Sequence, residues 1–354
     1  ELAGYIVAAP PVVLGLDYGG TKIAATACDL TGNRLASATV DSDGALGAQA
    51  SFSRGIQAGR DLMTATAPGR EIVAVGVSTF GIPFEDRVEL APAIDGWDTL
   101  AMGRELRAAF PGAQIRMAND VKAAARAEVL WGVLAGCDPA VYLNLGTGLA
   151  AAIVIGGQVV NGINGAAGEI GYNLRSVADV GLALDRRPQL EHMVSGQALA
   201  ARAAAGEQRA ERLTAADIFA AGAADPELDA LIDEFVTELA FHLVNLAILV
   251  NPARIAVGGG MVRSWERIRP PLQHALRSGT PYPPELVVAH FPYDAPLLGA
   301  VAMAVDAAAG WAAPGQAPGP DPRGPGGTTA GGRGDPIHHD TVTQLLEGLS
   351  HETP

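Results

Sequence analysis

A glycine-rich turn between two apolar runs near the start of the chain constrains the fold most. The first run covers residues 12–16, the turn reads DYGGTK over residues 17–22, and the second run covers residues 23–28. Two apolar runs of strand length joined by such a turn predict a β-hairpin. The sequence therefore predicts a hairpin whose tip carries a carboxylate, a hydroxyl and an ammonium group.

The turn residues match the chemistry of phosphate and magnesium binding. Glycine lets the backbone come close to a ligand, and backbone N–H groups, a hydroxyl and an ammonium donate to phosphate oxygens. We expect Mg²⁺ to be bound through water by Asp17, and the nucleotide phosphates to be bound by Gly19, Gly20, Thr21 and Lys22. A plain hairpin with a Gly-Gly turn is the alternative. A Walker A loop is excluded, because GxxxxGK[ST] requires glycine directly before lysine and Thr21 stands there.

Length and charge limit the classes of function. A chain of 354 residues predicts two domains with a large core. The net charge of −14 argues against nucleic acid as a partner, because binding a phosphate backbone needs a basic face. No apolar run approaches the roughly 18 residues that span a bilayer, and the first residues are a poor signal peptide. We therefore expect a cytoplasmic protein without a membrane partner. The cysteines, Cys28 and Cys137, are too few for a disulfide framework or a Cys-rich zinc site.

Apolar periodicity predicts strands alternating with helices after this hairpin, which is typical of an α/β fold. Further strands are predicted at residues 34–40, 72–77, 114–118 and 255–257. Helices are predicted at residues 55–67, 100–110, 120–131, 191–204, 215–221, 228–249 and 300–309. Residues 78–83 are predicted to be a loop. The chain is rich in Gly and Pro from residue 312, and we expect the tail 312–354 to be disordered.

The opening pattern occurs a second time in the middle of the chain. The sequence VYLNLGTGLAAAIVIGG at residues 141–157 again places a turn with glycine and threonine between two apolar runs. We expect Gly146, Thr147 and Gly148 to form a second phosphate-binding turn, with a plain Gly-rich hairpin as the alternative. Two halves that begin alike indicate a duplicated domain, as a two-lobed nucleotide clamp requires.

Six segments follow one another along the chain: DYGGTK at 17–22, AND at 118–120 with Ala124 and Glu128, LGTGLAAAIVIGG at 145–157, GAAGEIGY at 165–172, LEHMVSGQAL at 190–199 and VNPARIAVGGG at 250–260. Together, in this order, they resemble the ROK family of sugar kinases, within the actin/hexokinase/Hsp70 ATPase superfamily. The resemblance extends from about residue 12 to residue 309. It implies an α/β, two-lobed actin-like (ribonuclease H-like) fold with a central cleft. The expected lobes are residues 1–122, joined by a closing helix at 297–311, and residues 123–296.

The resemblance also implies a reaction: ATP-dependent phosphorylation of the 6-hydroxyl of a hexose or aminohexose, as in a glucokinase. Asp120 would be the general base and Asn119 would bind an equatorial hydroxyl. Glu169 and Glu191 would accept hydrogen bonds from hydroxyls at the C1/C2 edge of the sugar. Adenine would lie against the backbone of Gly258, Gly259 and Gly260. The alternatives from the residues alone are helix capping for Asp120, surface carboxylates for the two glutamates and a simple turn for the glycines.

Two departures from the family pattern bear on the sugar. Tyr172 stands where the family has a histidine, and we expect it to donate a single hydrogen bond to the anomeric edge. The family's Cys-rich zinc segment is missing, since residues 173–189 contain neither Cys nor His. The sequence therefore predicts no zinc site.

A third departure is the segment GIPFED at residues 81–86, where the family usually has Pro-Gly. In the family this loop lies near the 3- and 4-hydroxyls, so Gly81 and Glu85 are expected to contact the sugar. The carboxylates of Glu85 and Asp86 are typical of a solvated acidic turn. The sharper hypothesis is that one of them pairs with the ammonium group of an amino sugar such as 3-amino-3-deoxyglucose (kanosamine).

The family also contains sugar-responsive transcriptional regulators and inactive relatives. The regulators carry a helix-turn-helix before the first strand, and only about a dozen residues precede residue 12 here. Loss of Asp120 or of the Gly-Thr-Lys turn would be expected in an inactive sensor, and both are present. A kinase is therefore favoured, with sugar and ATP as its partners. The choice of sugar and the oligomeric state, a homodimer included, stay open.

Overall fold

The computed structural model describes residues 9–42, 44, 47–84, 86–91, 93–205 and 213–310. The tail expected at 312–354 and the site residue Glu85 lie outside them. The described residues divide into two compact units. The first contains those up to Phe80, those from 86 to 117 and those from Ala300 onward, and the second contains Gly81–Phe84 and Ala118–Gly299. The predicted division after residue 122 falls inside the second unit.

The described residues form twelve strands and eight α-helices. The strands are β1 Val12–Tyr18, β2 Lys22–Cys28, β3 Arg34–Asp41, β4 Ile72–Thr79, β5 Ile82–Phe84, β6 Arg87–Glu89, β7 Gln114–Asn119, β8 Ala140–Leu145, β9 Leu149–Ile155, β10 Gln158–Val159, β11 Arg254–Gly258 and β12 Glu285–Val288. The helices are α1 Ala48–Thr66, α2 Met102–Ala109, α3 Asp120–Trp131, α4 Gly196–Ala205, α5 Ala215–Ala221, α6 Pro226–Val250, α7 Trp265–Gly279 and α8 Ala295–Ala308. Within this part of the chain, no helix is both long and apolar enough to cross a membrane.

The first unit contains a five-stranded sheet of order β3-β2-β1-β4-β7. β1 pairs antiparallel with β2 and parallel with β4, which confirms the predicted hairpin. The strands are rich in Val, Ile, Leu and Ala, and α1 covers one face with its buried apolar side chains, among them Phe52. The Tyr18 ring, at the end of β1, packs against Phe52 and Trp97 and donates its hydroxyl hydrogen to the Phe52 carbonyl at 3.1 Å. The strand end that leads into the turn is therefore firmly packed.

The second unit contains a five-stranded sheet of order β10-β9-β8-β11-β12. β8 pairs antiparallel with β9 and parallel with β11, so the arrangement β2-β1-β4 of the first unit occurs again as β9-β8-β11. The predicted internal repeat is thus confirmed. Its core is separate and includes the buried side of the long helix α6. Asp225 caps α6 by accepting from the Glu227 N–H at 3.0 Å, and Asn251 ends it in the left-handed conformation before Pro252.

Several predicted boundaries are wrong. α1 begins at Ala48 and not at residue 55, and β4 continues to Thr79, into the predicted loop. The helix predicted at 191–204 is a single 3-10 turn, Leu190–His192, followed by α4. The break is explained by Ser195, whose hydroxyl accepts from the Ala198 N–H at 3.1 Å and so starts a new helix.

Candidate functional site

The junction between β7 and α3 presents two of the predicted site residues, Asn119 and Asp120. Asn119 is the helix N-cap: its Oδ1 accepts from the Lys122 N–H at 2.8 Å. Its Nδ2 donates to Glu169 Oε1 at 2.9 Å. The alternative role considered for Asp120, helix capping, is therefore performed by Asn119. Asp120 is the first helical residue, and its Oδ1 accepts from the Val121 N–H at 2.9 Å.

Burial raises the pKa of Asp120 to about 6, since removal from water disfavours the charged carboxylate. The negative charge of Glu191 raises this pKa further, whereas the Val121 N–H and the Lys122 ammonium lower it. The carboxyl group thus titrates close to neutral pH. Such a group is suited to accepting a proton from a substrate hydroxyl.

Tyr172 is the last residue of a short 3-10 turn, Ile170–Tyr172, and Glu169 is the residue directly before this turn. Burial raises the pKa of Glu169, and the nearby charges of Asp120 and Glu191 raise it further, whereas Lys122 lowers it. The pKa of the Tyr172 hydroxyl is also raised, by burial and then by Glu169 and Glu191. Tyr172, the replacement for the family's histidine, therefore lies among the same carboxylates.

Glu191 belongs to the second 3-10 turn, Leu190–His192, and is partly buried. Its Oε2 accepts from the Leu149 N–H at 2.8 Å. The carboxylate packs so closely on Gly148 that a side chain there would approach Oε2 to 2.5 Å. The alternative of a free surface carboxylate is therefore wrong for Glu191. The residue joins the predicted sugar segment to the predicted phosphate turn.

The second phosphate-binding turn connects β8 to β9. The Gly146 N–H donates to the Gly148 carbonyl at 3.1 Å, and Thr147 at the tip is exposed. The Gly146 carbonyl accepts from the Gly196 N–H at 2.7 Å, which attaches the start of α4 to the turn. Backbone hydrogen bonds and the Glu191 carboxylate thus hold the turn, while the Thr147 side chain is exposed at its tip.

The three glycines after β11 have different environments. Gly260 and Thr147 line a cavity of about 540 Å³, together with Gly146, Gly196, Gln197, Ala200, Ala204, Leu213, Thr214, Ala215, Ala216, Met261, Arg263 and Ser264. Gly258 instead faces the Tyr142 hydroxyl, which a Cβ would approach to 2.0 Å. Gly259 has a φ of 90° and packs on the Leu145 carbonyl. Only Gly260 of the three therefore lines the cavity that could accept a base.

The first phosphate-binding turn lies in the first unit, between β1 and β2. The Gly19 N–H donates to the Lys22 carbonyl at 2.9 Å, and the Ser42 hydroxyl donates to the Gly20 carbonyl at 2.7 Å. Thr21 and Lys22 are exposed, and Asp17 near the end of β1 is partly buried. Hydrogen bonds thus fix the backbone of this turn, while the hydroxyl group of Thr21 and the ammonium group of Lys22 are on exposed side chains. The Asp17 carboxylate is a hard oxygen donor of the kind that Mg²⁺ takes, which fits water-mediated binding.

The segment 173–189, where the family has its zinc residues, is held by charged side chains. Arg187 donates to the backbone carbonyls of Tyr172 and, at 3.1 Å, Asn173. Asp179 accepts from the N–H groups of Arg175 and Ser176, each at 2.9 Å. Arg175 also forms a bidentate ion pair with Glu238 on α6. Among the described residues no group of three or more His, Cys, Asp or Glu side chains could hold a metal ion.

Three contacting residues were missed by sequence reasoning. Lys122 donates from its ammonium group to the Gly165 carbonyl, which fixes the loop before Glu169. Gly165 packs against Ile82, in the segment that follows the predicted sugar contact Gly81. Gly81 has a φ of 79°, a conformation that favours glycine. The one signal in the sequence that could have drawn attention to position 122 is a lysine two residues after the Asn-Asp pair.

The comparisons identify the family. The model described as "ROK family" matches residues 13–307, which is most of the chain. The chain belongs to the ROK family. It therefore has the actin-like ATPase fold of the ROK proteins, with α/β sheets flanked by helices.

Two curated ROK relatives are named as kinases. A glucokinase of Streptomyces coelicolor is 32% identical over 291 residues, which cover 75% of this chain and 87% of the relative. A kanosamine kinase of Amycolatopsis mediterranei is 28% identical over 277 residues, which cover 73% of this chain and 84% of the relative. The match thus extends over nearly the whole of each relative.

Solved ROK structures include both a kinase and a regulator. The Streptomyces griseus ROK glucokinase, solved in complex with glucose and AMPPNP, has a TM-score of 0.66 and 28% identity and covers 83% of this chain and 99% of its own. A ROK family transcriptional regulator has a TM-score of 0.72 at 24% identity, covering 85% of this chain and 79% of its own, and so shows the fold alone. The fold by itself is therefore shared by kinases and regulators.

Proposed function

We propose that this ROK protein is an ATP-dependent sugar kinase that phosphorylates the 6-hydroxyl of a hexose or aminohexose. The observation that carries the proposal is the Asp120 carboxyl group, which is partly buried and has a pKa of about 6. A base of this kind is ionised at neutral pH and still takes a proton from a hydroxyl more readily than an exposed aspartate does. Asp120 is the base of the proposed reaction.

The side chains around Asp120 suit a sugar. One Nδ2 hydrogen of Asn119 is used on Glu169, which leaves the other for a sugar hydroxyl. Glu169, Tyr172 and Glu191 provide two carboxylates and a phenol for the remaining hydroxyls of the C1/C2 edge. Gly81 belongs to the segment proposed for the opposite edge. Such paired donors and acceptors are what a polyhydroxylated ligand requires.

Each glycine-rich turn offers donors suited to the phosphates of a nucleotide. Thr21, Lys22 and Thr147 supply donors for phosphate oxygens, and the cavity beside Gly260 has apolar side chains to accept adenine. Asp17 would hold hydrated Mg²⁺, which when bound neutralises part of the phosphate charge. Phosphoryl transfer then depends on positioning and charge more than on covalent chemistry from the protein.

A coupled assay for ADP release over a panel of hexoses, amino sugars and cyclitols tests the proposal. We expect turnover with at least one hexose or aminohexose, and Asp120→Asn should lower it by ~10²–10⁴ while the protein stays folded. The exposed Asp95→Asn serves as a control and should keep full turnover. Normal turnover in Asp120→Asn would contradict the role of the base, and no turnover with any sugar would contradict the kinase.

The finer choice within the sugar class is proposed to be an amino sugar. The match to a kanosamine kinase and the Glu85 carboxylate support it, since an ammonium group would pair with a carboxylate, whereas Asp86 already forms an ion pair with Arg107. We expect kcat/KM to be higher for kanosamine than for glucose and Glu85→Gln to remove that preference. Equal kcat/KM values for the two sugars in both proteins would favour the glucokinase alternative, which the Streptomyces coelicolor relative supports.

The second candidate is a sugar-responsive regulator or sensor without kinase activity, which the shared fold of a ROK regulator permits. The presence of Asp120 and of both glycine-rich turns favours the kinase. A protein that binds a sugar of the panel but releases no ADP would support the sensor.

A further inference from the structure

Lysine is rare in this chain and occurs only in its two functional segments. Of the 24 Lys and Arg residues, all but Lys22 and Lys122 are arginines. Lys22 lies in the first phosphate-binding turn. Lys122 lies two residues after Asp120, in the first turn of α3.

Lys122 is buried, with 4% of its surface exposed. Its ammonium group donates to the Gly165 carbonyl, 43 residues further along the chain. The hydrogen bond from Lys122 to Gly165 thus fixes the loop that leads into Glu169. The same loop contacts the segment after Gly81, because Gly165 packs against Ile82. The side chain therefore bridges the start of α3 and the loop that carries the proposed sugar contacts.

The charges around this ammonium are almost all negative. Burial lowers the pKa of Lys122, and the negative charges of Glu169, before the 3-10 turn, and of Asp120, on α3, oppose this shift. The negative charge of Glu191 also acts on Asp120. The neutral titratable groups nearby are the hydroxyls of Tyr142, on β8, and Tyr172. Within the described site, three carboxylates are thus offset by one buried cation. An uncompensated set of buried carboxylates would be costly.

We propose that Lys122 is a positioning residue for the phosphoryl transfer: its ammonium group anchors the Gly165 loop to α3 and supplies the positive charge that offsets Asp120 and Glu169. The role rests on the proposed kinase function. A compact ammonium fits a site beside a single carbonyl, where the planar guanidinium of arginine would present further donors to satisfy. This explains a lysine at this position in a chain that otherwise uses arginine.

The first test compares the pH dependence of kcat/KM in the wild type, Lys122→Met, Lys122→Gln and Lys122→Arg, with the best sugar of the panel. Loss of a neighbouring cation raises the pKa of a carboxylate, so the acidic limb should move about one pH unit higher in the Met and Gln variants. Lys122→Arg keeps the charge and should keep the wild-type limb. A residue that only held the loop would lower kcat/KM equally at every pH, and an unmoved limb in both uncharged variants would overturn the proposal.

The second test needs no activity, because the chain has only two lysines. Labelling lysine with ¹³C at Cε gives two side-chain NMR signals, and the one that vanishes in Lys22→Gln belongs to Lys22. The Lys122 signal should titrate at lower pH in Asp120→Asn and in Glu169→Gln than in the wild type, since each variant removes a negative charge. An unchanged Lys122 titration in both variants would overturn the proposal, even if the protein proves to be a kinase. A shifted titration in a protein without turnover would contradict only the proposed function.

Discussion

Asp120 shows how a side chain suited to chemistry can weaken the fold. Its pKa is about 6 in the native protein against an ordinary value of 3.8. Between these two pH values the native protein binds a proton that the unfolded chain does not, so the contribution of Asp120 to stability falls as the pH rises through this window. At neutral and alkaline pH the ionised carboxylate therefore destabilises the native state.

We predict that Asp120→Asn is more stable to heat than the wild type at pH 8, because the amide carries no charge to desolvate and keeps an acceptor for the Val121 N–H. The advantage should shrink at pH 5, where the wild-type carboxyl is protonated. Thermal unfolding of the wild type and of Asp120→Asn at pH 5 and at pH 8 measures this difference in stability. The exposed Asp95→Asn should show no such dependence, and a variant less stable than the wild type at pH 8 would contradict the prediction.

The residue scale also marks the limit of sequence reasoning about the site. The sequence predicted Asp120 as the base, with helix capping as the alternative, and the structure assigns the cap to its neighbour Asn119. Glu191 was open to being a surface residue, because nothing in the sequence reveals that it accepts from the Leu149 N–H, 42 residues away. Long-range hydrogen bonds of this kind depend on the folded chain, so a local pattern does not contain them.

At the scale of elements, α3 connects the site to the rest of its unit through both ends. Its start carries Asn119, Asp120 and Lys122. Near its end, Glu128 is fully buried and accepts from the Val133 N–H at 2.9 Å and from the Phe291 N–H at 2.7 Å. The glutamate of the family signature is thus a structural anchor that satisfies two backbone donors. Because these two bonds hold the end of α3 in place, they explain why the family motif includes a glutamate at this position.

The segment 173–189 has little regular structure, and Arg187 attaches it to the turn that we propose binds the sugar. We predict that Arg187→Met raises KM for the sugar by about tenfold, because charge-assisted bonds of about 1.5–3 kcal/mol to the Tyr172 and Asn173 carbonyls are lost. KM for ATP should stay unchanged. Arg186→Met, at the exposed neighbouring position, is the matched control. Steady-state kinetics with each substrate varied gives both constants, and an equal rise of the sugar KM in both variants would contradict the prediction.

At the scale of the whole molecule, each unit has its own apolar core and its own copy of the hairpin-plus-strand arrangement. This level was the most predictable, because the repeat rests on strands with continuous apolar runs and on turns with glycine. α5 was predicted at its observed bounds, since polar residues flank its short apolar face. α7 was missed because Pro270 and Pro271 lie inside it, where proline ordinarily ends a helix. The edge strand β12 was missed because four residues carry too little pattern.

Asn119 has two structural roles, and this limits how a protein with this site can acquire a new substrate. An apolar side chain at this position would remove both the cap of α3, which is typically worth about 0.5–2 kcal/mol, and the hydrogen bond to Glu169, so a change of sugar preference there would come with a loss of stability. Tyr172 has its backbone fixed by Arg187, whereas its hydroxyl can be exchanged at smaller expense. Among ROK proteins with this arrangement, sequence variation should therefore concentrate at that aromatic position, and the asparagine should stay the same in proteins that accept different sugars.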